Sequence, residues 1–286
     1  MRYAYYPGCS SDTTGKEYEA TVRIVCKNLG IELVDIPDWS CCGATAAHGK
    51  SHLLNTALPA RNLALAEEMG LDVVTPCAAC YQQLATANKE MKENQQIAEK
   101  VNQATGKNYQ GTIKVKSIVE VIGSLEPDII KAQMVKPLKG LKIAAYYGCL
   151  MVRPPSVTGF DDAENPMFLD NLMRLAGAET MDWPHKTECC GGALQVSNEH
   201  IVVKLLDKIY KEALKSGANC MVAACPLCHF NLDGCQSTCN RLLGTTYEIP
   251  IFYFTQLLGL AMGLNQQELQ FNSHFTDTRK VLKLVG

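Results

Sequence analysis

Short runs of β-branched and aromatic residues alternate along this chain with longer stretches in which apolar positions recur every three or four residues. That alternation predicts strand and helix in turn, the pattern of an α/β fold. Strands are predicted over residues 2–6, 71–75, 142–147 and 220–223. Between them, Tyr18, Val22, Val25 and Leu29 share one helical face, as do Ile201, Leu205, Ile209 and Ala213. Gly70 and Gly217 stand where such helices would stop. Residues 88–109, rich in Lys, Glu, Gln and Asn, predict a solvated helix or arm. The longest nearly uncharged apolar stretch, residues 251–264, has Thr255, Gln256, Gly259 and Gly263 inside it. It is shorter than the roughly 20 residues that cross a bilayer, so it predicts a buried helix or a docking surface and no transmembrane segment.

The pattern repeats. Ten of the fourteen cysteines fall into two copies of one arrangement. The first is Cys9, then Cys41-Cys42-Gly43, then Cys77-Ala78-Ala79-Cys80; the second is Cys149, then Cys189-Cys190-Gly191, then Cys225-Pro226-Leu227-Cys228. Between the lone cysteine and the adjacent pair lie 31 residues in one copy and 39 in the other; between the pair and the C-x-x-C lie 34 in both. Residues 4–9 parallel residues 145–149, and Asp38-Trp39 stands before one pair as Asp182-Trp183 stands before the other. This marks a duplicated domain, with a period too long for a solenoid. The expected division is an N-terminal domain over residues 1–137 and a C-terminal domain over 138–286, joined near Pro137-Leu138-Lys139-Gly140. Cysteines at strand-to-helix turns would converge at one edge of each sheet, where α/β proteins keep their sites.

Composition narrows the function. Hydrophobic residues at 47% and charged residues at 20% fit a folded protein. A net charge of −2 lacks the basic face that nucleic-acid binding needs. The first nine residues reach Pro7-Gly8 without an apolar core of signal-peptide length. The expected location is therefore the cytoplasm, where cysteines serve metal ligation or redox chemistry rather than a disulfide framework.

Thiolates bind soft metals, and C-x-x-C turns two of them toward one centre. A structural zinc takes four ligands, whereas each copy offers five. Adjacent cysteines, with Cα atoms about 3.8 Å apart, fit one compact tetrahedron poorly but reach two neighbouring irons. A disulfide between such neighbours is strained. The donor pattern thus favours an iron–sulfur cluster in each copy over zinc.

The doubled C-x(31–39)-C-C-G-x(33)-C-x-x-C element resembles the cysteine-rich CCG domain. Over nearly its full length, including Tyr-Tyr-Pro-Gly-Cys, Asp-Trp-Ser-Cys-Cys-Gly-Ala and Ala-Cys-Pro-Leu-Cys-His-Phe-Asn-Leu, the chain is similar to the disulfide-cleaving components of CoB–CoM heterodisulfide reductases of methanogenesis. The resemblance implies two Rossmann-like CCG domains. It implies one non-cubane [4Fe–4S] cluster on Cys9, Cys41, Cys42, Cys77 and Cys80, and a second on Cys149, Cys189, Cys190, Cys225 and Cys228, with zinc in one half as the alternative. It implies as substrate the CoM-S-S-CoB disulfide, reduced to the two coenzyme thiols in a crevice between the halves. As partners it implies a ferredoxin-like iron–sulfur subunit, a flavin-containing electron-bifurcating subunit, and a hydrogenase or formate dehydrogenase. The rival expectation is a CCG-type relay component of a glycolate, lactate or succinate/fumarate enzyme, which binds no disulfide.

No dinucleotide fingerprint, P-loop or ferredoxin cysteine run is present, so electrons are expected from partners. His229 follows Cys228 directly and is a candidate proton donor to a departing thiolate, against the commoner role of a structural histidine. Lys50 and Arg153, soon after cysteine elements, are candidates for an anionic substrate tail, against plain surface charge. Cys26 and Cys220 are expected as small core residues. Cys235 and Cys239, four apart on a predicted helix, are expected to pack, with a joint metal site as the alternative.

Overall fold

The computed structural model describes residues 1–45, 47 and 49–285. The first half runs β1 (Arg2–Tyr5), α1 (Lys16–Asn28), β2 (Glu32–Asp35), α2 (His52–Glu68), β3 (Val73–Thr75), α3 (Ala78–Glu93), α4 (Gln95–Thr105), β4 (Val115–Ser117), α5 (Ile118–Gly123) and α6 (Pro127–Ala132). The second runs β5 (Lys142–Tyr146), α7 (Pro155–Thr158), α8 (Phe168–Leu175), β6 (Glu179–Thr180), α9 (Glu199–Lys215), β7 (Cys220–Ala223), α10 (Pro226–Gly234), α11 (Gln236–Leu243), β8 (Ile251–Tyr253), α12 (Phe254–Ala261) and α13 (Arg279–Leu282). Among the described residues the strands form two four-stranded sheets, in the orders β2-β1-β3-β4 and β6-β5-β7-β8. Every pairing is parallel. The duplication seen in the cysteines is therefore a duplication of topology.

Helices cover both faces of each sheet, which is why β7 and β8 are buried at every position and carry no in–out alternation. In each half the chain moves from the first strand to an edge strand and then back across to the first strand's other side. The direction of winding reverses between β1 and β3, and again between β5 and β7. At such a reversal the loops at the carboxyl ends of the strands part and leave a crevice.

The two halves exchange contacts reciprocally. α1, in the first crossover, packs on α12, which follows the last strand of the second sheet. α8, in the matching crossover of the second half, packs on α5, which follows the last strand of the first. This is how the protomers of an isologous dimer meet, so the halves are related by an approximate two-fold axis. At the first contact Thr21 Oγ1 lies 2.8 Å from Thr255 Oγ1, and the Tyr18 ring stacks on Tyr253 with centroids 4.2 Å apart. At the second, a Cβ on Gly123 would stand 2.5 Å from the Phe168 ring. One continuous apolar core draws residues from both sheets, from Ala4 to Val285.

The symmetry is broken beside the second group of cysteines. The longer segment between Cys149 and Cys189 carries α7, which lies against α3 of the other half. There Lys89 Nζ donates to the Ser156 carbonyl at 3.1 Å, and Tyr81 meets Phe160 edge to face.

Tyr18, Val22, Val25 and Leu29 are all buried as their spacing predicts, and the backbones of Gly70 and Gly217 take positive φ just beyond their helices. α9 is turned from expectation: Val202, Val203, Leu206, Ile209, Tyr210 and Ala213 face the core, while Ile201 is 47% exposed. Residues 88–109 form the end of α3 and all of α4, held down by buried Asn88, Met91, Val101 and Tyr109. Residues 251–264 divide into β8 and the wholly buried α12.

Candidate functional site

Each group of five thiols is assembled from loops at the carboxyl ends of three neighbouring strands. Cys9 follows β1, Cys41 and Cys42 follow β2, and Cys77 and Cys80 follow β3 at the start of α3. In the first group the Cys42 and Cys80 sulfurs are 3.5 Å apart, Cys9 lies near Cys41, and Cys77 lies near Cys80. The second group repeats these pairs as Cys190 with Cys228, Cys149 with Cys189, and Cys225 with Cys228. All ten are free thiols.

The C-C-G turn has a physical reason for its glycine. Gly43 and Gly191 have φ of 75° and 76°, a left-handed conformation in which a side chain costs about 1–2 kcal/mol. In that turn the Gly43 N–H points at the Cys41 sulfur, 3.4 Å away, and the Gly191 N–H at the Cys189 sulfur, 3.3 Å away. A Cβ on Gly43 would meet Leu58 at 2.7 Å and Ala47 at 2.8 Å. Gly8 and Gly148 pass as closely beneath the other end of the site: a Cβ there would stand 3.0 Å from the Cys80 sulfur and 3.1 Å from the Cys228 sulfur.

Cys77 and Cys225 are the N-caps of α3 and α10, so Cys80 and Cys228 fall in the first turns. The free N–H groups and positive dipole end of a helix favour a thiolate there, but the neighbouring thiols Cys42 and Cys190, with burial, push Cys80 and Cys228 well up. The Cys42 thiol is brought down to about 7, first by its hydrogen bond with Cys80, with burial opposing. That of Cys189 is brought down to about 6, first by Cys149, again against burial. Both are poised to ligate as anions.

The groups meet on the axis. Cys77 and Cys225 occupy the same position in their copies and lie beside each other across the two halves, close enough that Cys225 pushes the Cys77 thiol up. A residue that touches its own counterpart lies on the two-fold axis, so the two thiol groups face one another over it. Five soft donors in each, adjacent cysteines included, suit an iron–sulfur cluster and exceed what one zinc takes.

Several supporting residues carry no signal in the spacing. Tyr6 O–H donates to the carbonyl of Ser40, just before Cys41, and Tyr146 O–H to that of Glu188, just before Cys189. Asn62 clamps Ser40 through its N–H and carbonyl, and Asn231 Nδ2 donates to the Cys190 carbonyl at 2.6 Å. The Lys186 carbonyl accepts from the N–H groups of Tyr147 and Gly148. Its ammonium lies 3.2 Å from Asp170, which also accepts from Tyr147 O–H, and both charged side chains are almost fully buried. The parallel between residues 4–9 and 145–149 was the one visible trace of these supports.

Among the other candidates, Arg153 shares a cavity of about 490 Å³ with Cys149, Leu150, Gln82 and Glu164. It is paired with Glu164 at 2.8 Å. Lys50 is exposed on the loop leading to α2, away from that cavity. His229 is buried, its Nε2 2.8 Å from the Ile251 carbonyl and its ring stacked on Tyr253. Cys26 and Cys220 lie in the core. Cys235 accepts from Gln195 Nε2 and Cys239 is packed beneath α9, so both are held in the second half's core. Among the described residues no helix is long and apolar enough to cross a membrane.

The model of a family described as a cysteine-rich domain, CCG, matches residues 3–85 and 143–233. The chain is 34% identical to the B component of the ferredoxin/F420H2-dependent CoB–CoM heterodisulfide reductase of Methanosarcina acetivorans, over 94% of this chain and 91% of that one. It is 33% identical to the 8-methylmenaquinol:fumarate reductase membrane anchor subunit of Wolinella succinogenes, over 98% of both. A crystal structure of a hypothetical protein from Helicobacter pylori superposes with a TM-score of 0.76 at 15% identity, covering 97% of this chain; the chain spans 52% of that protein's length.

Proposed function

This chain belongs to the cysteine-rich CCG domain family, and from that premise we propose that it is a catalytic redox subunit that reduces the CoM-S-S-CoB heterodisulfide to its two thiols. The observation that supports this most is the nearness of Cys77 to Cys225, which fits two five-thiol groups facing each other between halves taken as 1–137 and 138–286. In this reading Cys9, Cys41, Cys42, Cys77 and Cys80 hold one non-cubane [4Fe–4S] cluster, and Cys149, Cys189, Cys190, Cys225 and Cys228 the other. Bound there, the clusters would supply single electrons, two of which open a disulfide.

The chain's own residues position the substrate. The cavity beside Cys149 admits one arm of it, and the Arg153 guanidinium, reached by displacing Glu164, meets an anionic tail. Lys50, exposed beyond the C-C-G turn of the other half, would meet the second tail. His229 is stacked and bonded away from solvent and serves as a support rather than a proton donor. Electrons come from partner subunits: a ferredoxin-like iron–sulfur subunit and a flavin-containing bifurcating subunit, coupled to a hydrogenase or formate dehydrogenase.

The second reading, a relay that binds no disulfide, is favoured by the full-length similarity to the Wolinella fumarate reductase component. Anaerobic turnover with a reduced low-potential dye and the heterodisulfide separates the two. Two thiols released for every two electrons supports the reductase. Intact clusters that take up electrons but release no thiol would establish the relay.

A further inference from the structure

We propose that His229, Asp233 and His274 form a divalent-cation site, best suited to zinc, which ties the C-terminal segment to the helix that starts at the second C-x-x-C. One ring nitrogen of each histidine and one oxygen of Asp233 lie within 4.8 Å of one another. Asp233 Oδ2 and His274 Nδ1 are 3.7 Å apart, and each side chain is 1% exposed. His274 Nδ1 has no hydrogen-bond partner.

Neither neutral tautomer of His274 relieves this. Its Nε2 sits against the Gln256 amide, 3.0 Å from the nitrogen and 3.2 Å from the oxygen. With its proton on Nε2, the ring aims a bare lone pair at a buried carboxylate. With the proton on Nδ1, the N–H stops 3.7 Å from the nearest carboxylate oxygen, beyond hydrogen-bond reach. A cation between the two satisfies both groups at once. Zinc bonds to nitrogen and oxygen are about 2.0–2.2 Å, so tetrahedral ligands stand roughly 3.3–3.5 Å apart. Closing the gap between Asp233 and His274 needs only a few tenths of an ångström, and the His229 nitrogen, within 4.8 Å of both, must come in by no more than about 1.5 Å. The Ile251 carbonyl accepts from His229 Nε2 at 2.8 Å and holds that ring in place.

The carboxylate is already oriented for the task. Asp233 accepts from the N–H groups of Phe275 at 2.7 Å and Thr276 at 3.2 Å, the hydrogen-bonded support usual behind a metal-ligating carboxylate. His229 and Asp233 lie one turn apart on α10, whose first turn carries Cys228, whereas His274 comes from the segment after α12. The ion would therefore hold that segment against the helix, apart from the ten thiols and with nitrogen and oxygen donors in place of sulfur.

The test measures zinc and iron together in the full chain purified anaerobically without chelators, as wild type, His274→Gln and Asp233→Asn. The expected result is about one zinc per wild-type chain, reduced at least fivefold in both variants while iron is unchanged. X-ray absorption at the zinc edge of the wild type, which does not depend on the variants folding, should give nitrogen and oxygen at about 2.0–2.1 Å. Zinc absent even after its addition to the wild-type protein, or zinc surrounded by sulfur at about 2.3 Å, overturns the site. Loss of iron alone would bear on the cluster reading and leave this one standing.

Discussion

At the scale of single residues, the site is a set of thiols held by backbone geometry. Gly43→Ala should lower total iron by about half, because the new Cβ both forces an unfavourable φ, costing about 1–2 kcal/mol, and strikes Leu58 and Ala47. Gly191→Ala should lose less, since its nearest neighbours, Leu205 and Val202, are 3.1 and 3.2 Å away. Equal iron in wild type and both variants, measured anaerobically, would contradict this account of the turn. The buried Lys186–Asp170 pair makes a second case. Asp170→Asn leaves an uncompensated ammonium in the core and should cost about 3–5 kcal/mol in denaturant unfolding. Lys186→Met combined with Asp170→Leu should cost less than the single change, because no charge is stranded. The ten cysteines were legible because only thiols perform their task and their spacing repeats. Tyr6, Tyr146, Asn62, Asn231 and Lys186 were not, because each works by bonding a main-chain atom, and a sequence does not mark which carbonyl lies nearby.

At the scale of elements, helices and strands emerged where one periodicity dominated. α1 has a single apolar stripe and lies as its spacing predicts. α9 has two overlapping stripes, and packing chose the one through Val202, Leu206, Ile209 and Ala213, leaving Ile201 outward and Leu205 against the Gly191 turn. β8 and α12 merged into one apolar run in the sequence because both are buried on every side and neither shows a period. The edge strands β2 and β6 carry Glu32, Asp35 and Glu179 and are buried at no position, so no apolar run marks them. The helix contact between α1 and α12 can be tested through its facing hydroxyls. Thr255→Val leaves Thr21 without its cross-half partner and should cost about 1 kcal/mol. Adding Thr21→Val should cost less than a second such step, because the pair is then removed as a unit. Strictly additive losses in a double-mutant cycle would mean that the two hydroxyls do not interact.

At the scale of the molecule, the duplicated halves share a core and a reciprocal helix contact, so they should unfold together. Calorimetry of the iron-loaded chain should show one transition; two resolved transitions would mean that the halves are independent. For the same reason Cys77→Ser, on the axis, should disturb the spectra of both iron centres, whereas Cys9→Ser, on the outer rim of one group, should disturb one. The sequence displayed the two-fold repeat but hid how its halves meet, because that contact is built from helix faces with no repeating residues. The α7 segment, present in one half and laid over α3 of the other, has a further effect. A particle with perfect two-fold symmetry offers a visitor two indistinguishable ways to land, and electrons delivered to it would have no preferred end. The extra residues between Cys149 and Cys189 add a helix to one flank, where the shorter segment after Cys9 lays only a single turn against α10, so the two flanks differ and a docked donor should find one way round better than the other.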